Sequence, residues 1–114
     1  MPYQFSPCIA VRTPELERAL DFYENTLGFT RVSDEAGWVE LRKGTVRWFV
    51  GGGEAIGPVM ELIVPDVEKA REELVAKGGT VVVWNGAGND CYIRDPFGFL
   101  FNLYEDPKAF ADIG

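Results

Sequence analysis

Histidine is absent from this chain, and cysteine occurs only twice among its 114 residues. Without an imidazole, a Ser-His-Asp triad and every histidine-based metal site are excluded. A nucleophilic thiol usually takes its base from histidine, so we interpret Cys8 and Cys91 as reduced, buried residues, neither catalytic nor part of a disulfide framework. These absences exclude the commonest nucleophilic and metal-based active sites.

Basic residues are also scarce, and no long apolar run is present. Lys and Arg number 11 against 18 Asp and Glu, which gives a net charge of -7. A nucleic acid or an anionic membrane would need the reverse balance, so we expect neutral or cationic small ligands. No apolar run approaches the ~20 residues of a membrane span, and MPYQFSPC at the start lacks the features of a signal peptide. We therefore expect a cytoplasmic protein.

Two segments of the chain carry the same helix pattern. RTPELERALDFYENTLGF has Thr13 as a candidate cap, Pro14 at the first helical position and Gly28 as the stop. VPDVEKAREELVAKGG repeats this design from Pro65 to Gly79 at one constant offset. In both segments apolar residues recur at helical spacing, which predicts that one side of each helix packs on a sheet.

Each predicted helix follows one short strand pattern and precedes three. The first strands are CIAVR and VMELIV, and the later ones are TRVS, GWVELR and TVRWFV in one half and TVVVW, CYIRD and FLFNLY in the other. The sequence therefore predicts one α+β domain, 1–114, of two βαβββ modules: module one 1–50, a linker 51–58, module two 59–106 and a tail 107–114. Half a chain of ~55 residues buries too little apolar surface to be stable alone. We expect curved mixed sheets around a cleft, packed within the chain or with a second subunit.

The two modules resemble the vicinal oxygen chelate superfamily, which includes glyoxalase I, extradiol dioxygenases, fosfomycin resistance enzymes and the bleomycin resistance protein. The resemblance is carried by PELERALDFYENTLGF and RDPFGFLFNLYE, in which FYENTLGF, 22–29, and the DP-x-G turn, 95–98, are the most specific parts. It implies metal ligands at four equivalent strand positions, two in each module. It also implies a homodimer, as in the small, acidic bleomycin resistance branch.

The residues at these four positions do not form the implied metal site. Counting back from the acidic residue that opens each helix gives Cys8 and Val59, and counting on from Gly44 and Gly98 gives Trp48 and Asn102. Valine and tryptophan offer no ligand atom and asparagine only a neutral carbonyl. A catalytic divalent ion needs imidazole or carboxylate ligands, so we expect neither a metal nor another cofactor.

Side chains that alternate with these positions along the strands are expected to line the cleft instead. The predicted ligand-binding residues are Cys8, Arg12, Trp38, Trp48, Val59, Glu61, Asn102 and Tyr104. Trp48 and Tyr104 would stack on a planar ligand, although aromatic residues in strands more commonly pack on the sheet itself. Glu61 lies in an otherwise apolar strand, where it would pair with Arg12, bind a cationic ligand or act as a general base.

The residues favour one function and leave an alternative. The first hypothesis is a metal-independent small-molecule binding protein resembling the bleomycin resistance branch, with a cationic or aromatic ligand in an acidic, aromatic-lined cleft. The alternative is a glyoxalase-like lyase or isomerase that acts on a small carbonyl compound, with Glu61 as the weakly supported base or with a non-standard metal site. A module that serves only as a subunit is the third hypothesis. The missing metal ligands favour the binding protein over the enzyme.

Overall fold

The computed structural model describes residues 2–86 and 90–110. These residues form two compact units, a first unit of residues 7–58 and a second unit of the described residues within 1–6 and 59–114. Each unit contains one α-helix and a four-stranded sheet, built in the order βαβββ. The prediction of an α+β fold with two βαβββ modules is therefore confirmed.

The first unit places its helix between its first and second strands. The elements are β1 (Gln4–Thr13), α1 (Leu16–Asp21) with a π-helical turn (Phe22–Thr26), β2 (Thr30–Glu35), β3 (Trp38–Lys43) and β4 (Val46–Gly52). The strand order is β2-β3-β4-β1. Because the helical crossover separates β1 from the other three strands, β4 pairs with β1 in parallel, whereas β2, β3 and β4 are antiparallel hairpin neighbours.

The second unit repeats this topology. Its elements are β5 (Ile56–Val64), of which residues 56–58 belong to the first unit, α2 (Val67–Ala76), β6 (Thr80–Trp84), β7 (Cys91–Arg94), β8 (Leu100–Glu105) and a 3-10 helix (Pro107–Phe110). The strand order is β5-β8-β7-β6, with β5 and β8 parallel. The predicted linker 51–58 is shorter than expected, because β4 and β5 leave only residues 53–55 outside strands. Residues 111–114 of the predicted tail lie outside the described part of the chain.

The helix boundaries follow local hydrogen bonding. Asp66 caps α2, since its Oδ1 accepts a hydrogen bond from the backbone N–H of Lys69 at 3.1 Å. In the first unit, Thr13 Oγ1 instead accepts from the N–H of Glu15, and α1 begins at Leu16 without a side-chain cap. The prediction of Thr13 as the cap is therefore wrong by two positions. Among residues 2–86 and 90–110, no helix is long and apolar enough to cross a membrane.

Each unit has its own apolar core beneath its helix. The buried core residues are Leu20, Val39, Leu41 and Val50 in the first unit, and Val64, Val67, Ala70, Cys91, Ile93 and Leu103 in the second. Burial raises the pKa of the Cys91 thiol, which keeps this cysteine protonated and unreactive. Cys91 is thus a core residue as predicted, whereas Cys8 is only half-buried.

Candidate functional site

The strand register divides the sheet of the first unit into two faces, because paired residues of neighbouring strands point to the same side. Val39, Leu41 and Val50 pack against Leu20 of α1 and define the helix face. The opposite side, here called the open face, includes Cys8, Ala10 and Arg12 of β1, Thr30, Ser33 and Glu35 of β2, Trp38, Glu40 and Arg42 of β3, and Arg47, Phe49 and Gly51 of β4. Of the predicted ligand-binding residues, Cys8, Arg12 and Trp38 therefore share one face.

Trp48 does not lie on the open face, so the prediction that it shares a cleft with Cys8 is wrong. Its register partners are Ile9 and Leu41, which places it on the helix face. There its ring lies edge-on to Tyr23, with ring centroids 5.5 Å apart, and close to Phe29 at 6.1 Å. The residue of β4 that corresponds to Asn102 is Phe49, since Ala10 pairs with Phe49 as Glu61 pairs with Asn102.

The error has a geometric cause in the two hairpins that precede β4 and β8. Lys43 pairs with Val46 across a two-residue loop, whereas Arg94 pairs with Leu100 across five residues, 95–99. Gly44 and Gly98 therefore do not occupy equivalent positions, although both have positive φ angles of 62° and 96°. A one-residue slip in a strand moves every side chain to the other face.

Arg12 and Trp38 form a stack at one end of the open face. The Arg12 guanidinium carbon lies 4.1 Å from the centroid of the Trp38 ring, and Nη1 donates a hydrogen bond to the Gly52 carbonyl at 3.2 Å. Gly51 lies between them, and a Cβ there would be 3.0 Å from the Trp38 ring and 3.1 Å from Arg12 Nη1. The stack therefore requires a residue without a side chain at position 51. Whether Arg12 also pairs with Glu61 of the second unit stays a prediction.

Glu40 is a buried carboxylate that two arginines share. Its side chain is 8% exposed, and Oε2 accepts from Arg42 Nε at 2.7 Å and from Arg47 Nε at 2.9 Å, while Oε1 accepts from Arg47 Nη2 at 3.1 Å. These hydrogen bonds, Arg47 first, lower the pKa of Glu40 to about 2. The sequence analysis missed this cluster. The signal was present in GWVELR, where Trp38, Glu40 and Arg42 alternate with buried Val39 and Leu41.

The open face of the first unit is not acidic, in contrast to the cleft expected from the composition. It carries three guanidinium groups, of Arg12, Arg42 and Arg47, against the two carboxylates of Glu35 and Glu40. The chain as a whole has a net charge of -7. A positive surplus on this face therefore disfavours a cationic ligand here.

The open face of the second unit holds the other predicted site residues. Val59, Glu61, Asn102 and Tyr104 all fall on the side of the sheet opposite the core residue Leu103. Val59 is buried, Glu61 and Asn102 are half-buried, and Tyr104 is exposed. Asn102 has a structural role, because its Oδ1 accepts the backbone N–H of Cys91 at 3.1 Å, at the start of β7.

A cavity of about 450 Å³ lies on the helix face of the first unit. Its lining residues are Val11, Arg12, Thr13, Ala19, Tyr23, Trp48, Ala55, Ile56, Gly57 and Pro58. Trp48 therefore lines a cavity, but this cavity lies on the opposite side of the sheet from Trp38. The indole Nε1 of Trp48 is buried and finds no hydrogen-bond partner within residues 2–86 and 90–110. The role of Trp48 in ligand binding stays a prediction.

The four positions at which relatives of this fold carry metal ligands do not fit a metal. With β4 in its observed register, these positions are Cys8, Phe49, Val59 and Asn102. The phenyl ring of Phe49, like the indole expected there, has no lone pair that could bind a metal ion. Asn102 Oδ1 already accepts a backbone hydrogen bond. In residues 2–86 and 90–110, no three His, Cys, Asp or Glu side chains come together in a group that could hold a metal ion.

The βαβββ repeat and the motifs at its ends define a class of protein. Residues 8–104 match the glyoxalase-like domain family, and the chain therefore belongs to that family. The resemblance to glyoxalase-like proteins found in the sequence is thereby confirmed. No curated protein matches the sequence.

The following three solved structures share this fold and are distant in sequence. A hypothetical protein from Bacillus halodurans C-125 has a TM-score of 0.64 at 16% identity, covering 93% of this chain and 96% of its own. A glyoxalase/bleomycin resistance protein/dioxygenase superfamily member from Vibrio splendidus 12B01 has a TM-score of 0.61 at 15% identity, covering 92% and 100%. Methylmalonyl-CoA epimerase from Mycobacterium tuberculosis has a TM-score of 0.53 at 18% identity, covering 91% and 89%. At these identities the likeness shows the fold alone.

Proposed function

We propose that this protein is a metal-independent small-molecule binding protein and that it holds an aromatic ligand on the open face of the first unit. The observation that carries the proposal is the fixed Arg12–Trp38 stack together with the small side chain beside it, which leaves room for a ligand against the Trp38 ring. In the row next to the stack, Ala10 has only a methyl group, and its register partner is Phe49. A planar molecule placed there would contact aromatic rings on two sides.

Two further features support binding in preference to metal-dependent chemistry. The donor set at the four expected ligand positions does not fit a divalent ion. The stack is held before any ligand arrives, because the Arg12 guanidinium contacts both the Trp38 ring and the Gly52 carbonyl. A preorganised wall lowers the entropy cost of binding. The homodimer implied by the resemblance remains part of this proposal.

The proposal predicts stabilisation by aromatic compounds and not by metals. We would measure thermal unfolding of the protein with benzamide, benzylamine, benzoate, Mg²⁺, Mn²⁺ and Zn²⁺. At a hundredfold excess over its Kd, a bound compound adds about 2.7 kcal/mol to the free energy of unfolding. We expect such a gain with at least one aromatic compound and its loss in Trp38→Ala, because that variant lacks one wall of the site.

Phe97→Ala is the matched control, since this ring is 83% exposed on the β7–β8 loop and lies in the other unit. It should retain the full ligand effect. Stabilisation by a divalent ion alone, or equal ligand effects in Trp38→Ala and the unchanged protein, would contradict the proposal.

A lyase or isomerase is the second candidate function, and Glu61 is the observation that favours it. Glu61 is half-buried on the open face of the second unit, beside Asn102 in the register. A carboxylate in such a place can accept a proton from a carbon next to a carbonyl. This function predicts that small α-keto acids and aldehydes incorporate deuterium from D₂O, as detected by NMR, and that Glu61→Gln abolishes the exchange. No exchange above the rate in buffer would exclude Glu61 as a base for these compounds.

A further inference from the structure

The helix of the first unit changes its hydrogen-bonding pattern beside the cavity on the helix face. After α1, residues 22–26 form a π-helical turn, in which the N–H of Leu27 donates to the Phe22 carbonyl at 3.1 Å. Such turns are rare and are frequently found at functional sites. Tyr23, the second residue of the turn, lines the cavity. The irregular part of the helix and the open space therefore meet at one residue.

Aromatic side chains form one wall of the cavity and hold each other in place. The Tyr23 ring lies edge-on to Trp48 with centroids 5.5 Å apart, and the Phe29 ring lies 6.1 Å from both. Edge-on and tilted contacts of this kind are favourable arrangements of aromatic rings. Ala19 and Ala55, which also line the cavity, leave space in front of this wall because their side chains are single methyl groups. The wall is therefore preformed, which lowers the entropy cost of binding a ligand.

The size and the charge of the cavity restrict the ligand it can take. Its volume of about 450 Å³ lies within the range of small-molecule sites, roughly 300–1,000 Å³. Among the lining residues only Arg12 is charged, and its guanidinium contacts the Trp38 ring and the Gly52 carbonyl at the open face. An ionised ligand would therefore lose hydration without gaining a partner of opposite charge. Thr13 and Tyr23 carry hydroxyl groups, which pair with neutral polar groups.

We propose that the cavity on the helix face is a second binding site and that it takes a neutral, mainly apolar small molecule with one hydroxyl or carbonyl group. The side chains of Val11, Ile56 and Pro58 would remove the hydrocarbon part of this molecule from water, and Trp48 would contact it from the aromatic wall. The site lies on the side of the sheet opposite the open face. The inference therefore goes beyond the proposed function and does not depend on it.

NMR of the ¹⁵N-labelled full-length protein tests the inference, because each of the three tryptophans gives one indole N–H signal. The signals of Trp48 and Trp38 are assigned by their loss in Trp48→Phe and Trp38→Phe. Cyclohexanol, cyclohexylamine and cyclohexanecarboxylate, which share one ring and differ in charge, would be titrated at pH 7. Cyclohexanol should shift the Trp48 signal in a saturable manner with little change at Trp38. It should bind at least about tenfold more tightly than either charged compound.

Filling the cavity provides the second part of the test. Ala19→Leu adds bulk from α1 and should weaken cyclohexanol binding at least about tenfold. Ala76→Leu is the matched control, because it adds the same bulk at an exposed position of α2 in the second unit, and it should retain full binding. If Ala19→Leu fails to fold, Ala55→Leu decides, since Ala55 also lines the cavity but lies outside the helices and strands.

Three results would overturn the inference. They are the lack of a saturable shift at Trp48, a shift at Trp38 alone, and equal affinity for the neutral and the charged compounds. Unchanged cyclohexanol binding in a folded Ala19→Leu or Ala55→Leu variant would overturn it as well. All these results leave the proposed function intact, because that function depends on aromatic compounds and on Trp38.

Discussion

Replacing Gly57 by alanine should destabilise the protein by about 3 kcal/mol, a large part of the stability of a small domain. Gly57 has a φ of 116°, a conformation that L side chains rarely adopt. A Cβ at this position would lie 2.8 Å from the Ala10 carbonyl oxygen and 3.2 Å from the Val11 Cα. Both are backbone atoms and cannot turn away. Backbone strain and overpacking each cost about 1–3 kcal/mol, and the expected loss combines them.

Chemical denaturation followed by circular dichroism would measure this loss, with Gly52→Ala as the matched control. A Cβ at Gly52 would lie 3.7 Å from Leu16 Cδ2, an ordinary contact, and this glycine does not have a positive φ. We expect Gly52→Ala to change the free energy of unfolding by less than about 0.5 kcal/mol. Similar losses in both variants would mean that the close approach of residue 57 to β1 is not the cause.

Gly57 also illustrates where the sequence was informative about the fold and where it was not. The glycine and proline content of 51–58 correctly indicated a break between two similar halves, since such residues punctuate regular structure. It did not indicate that Ile56 and Gly57 belong to β5 or that Gly57 packs on β1. Composition reports local backbone preference, whereas a close approach depends on the partner strand. The repeat could be predicted from the sequence because its residues recur at a constant offset. The packing of Gly57 on β1 could not, because it depends on a contact with another strand.

The candidate site shows the same division at the level of side chains. Alternation along β1, β5 and β8 was enough to place Arg12, Glu61 and Asn102 on the sides of the sheets where the structure has them. It failed for Trp48, because the register of β4 depends on the length of the hairpin before it. It also missed that Asn102 satisfies the backbone of β7. A hydrogen bond from a side chain to the backbone of a paired strand depends on how the two strands pack and leaves no signature in the local sequence.

The net charge of the chain differs in sign from the charge balance on the open face of the first unit. The value of -7 describes the whole chain, whereas binding responds to the charges within a Debye length of about 8–10 Å. Arg12, Arg42 and Arg47 stand on one face of one sheet and outnumber the carboxylates there. The expectation of a cationic ligand rested on an average that this face does not share. A single strand pattern, GWVELR, carried more information on the site than the total charge did.

Acid should destabilise the protein in a window that Glu40 defines. The arginine hydrogen bonds lower the pKa of Glu40 from 4.5 to about 2 in the folded state. Between these values the unfolded chain binds more protons than the folded one, so stability rises with pH across the window and falls as the pH drops from about 4.5 towards 2. A shift of this size corresponds to roughly 3 kcal/mol. Because the arginine side chains are 49% and 39% exposed, solvent screening reduces the expected effect to about 2 kcal/mol.

Urea unfolding of the protein and of Glu40→Gln at pH 7, 4.5 and 2.5 isolates this contribution from those of the other carboxylates. Glu40→Gln should be less stable by about 2 kcal/mol at pH 7, and the difference should shrink to roughly a quarter of that value at pH 2.5, because the pH then approaches the folded-state pKa of about 2 and protonation begins to remove the charge that the substitution removes. Glu72→Gln, which changes an exposed carboxylate on α2, should run parallel to the unchanged protein at all three pH values. A pH-independent difference for Glu40→Gln would mean that Glu40 acts through its shape and packing. Loss of the difference in acid would show that Glu40 stabilises the fold through its charge, by way of its hydrogen bonds with Arg42 and Arg47.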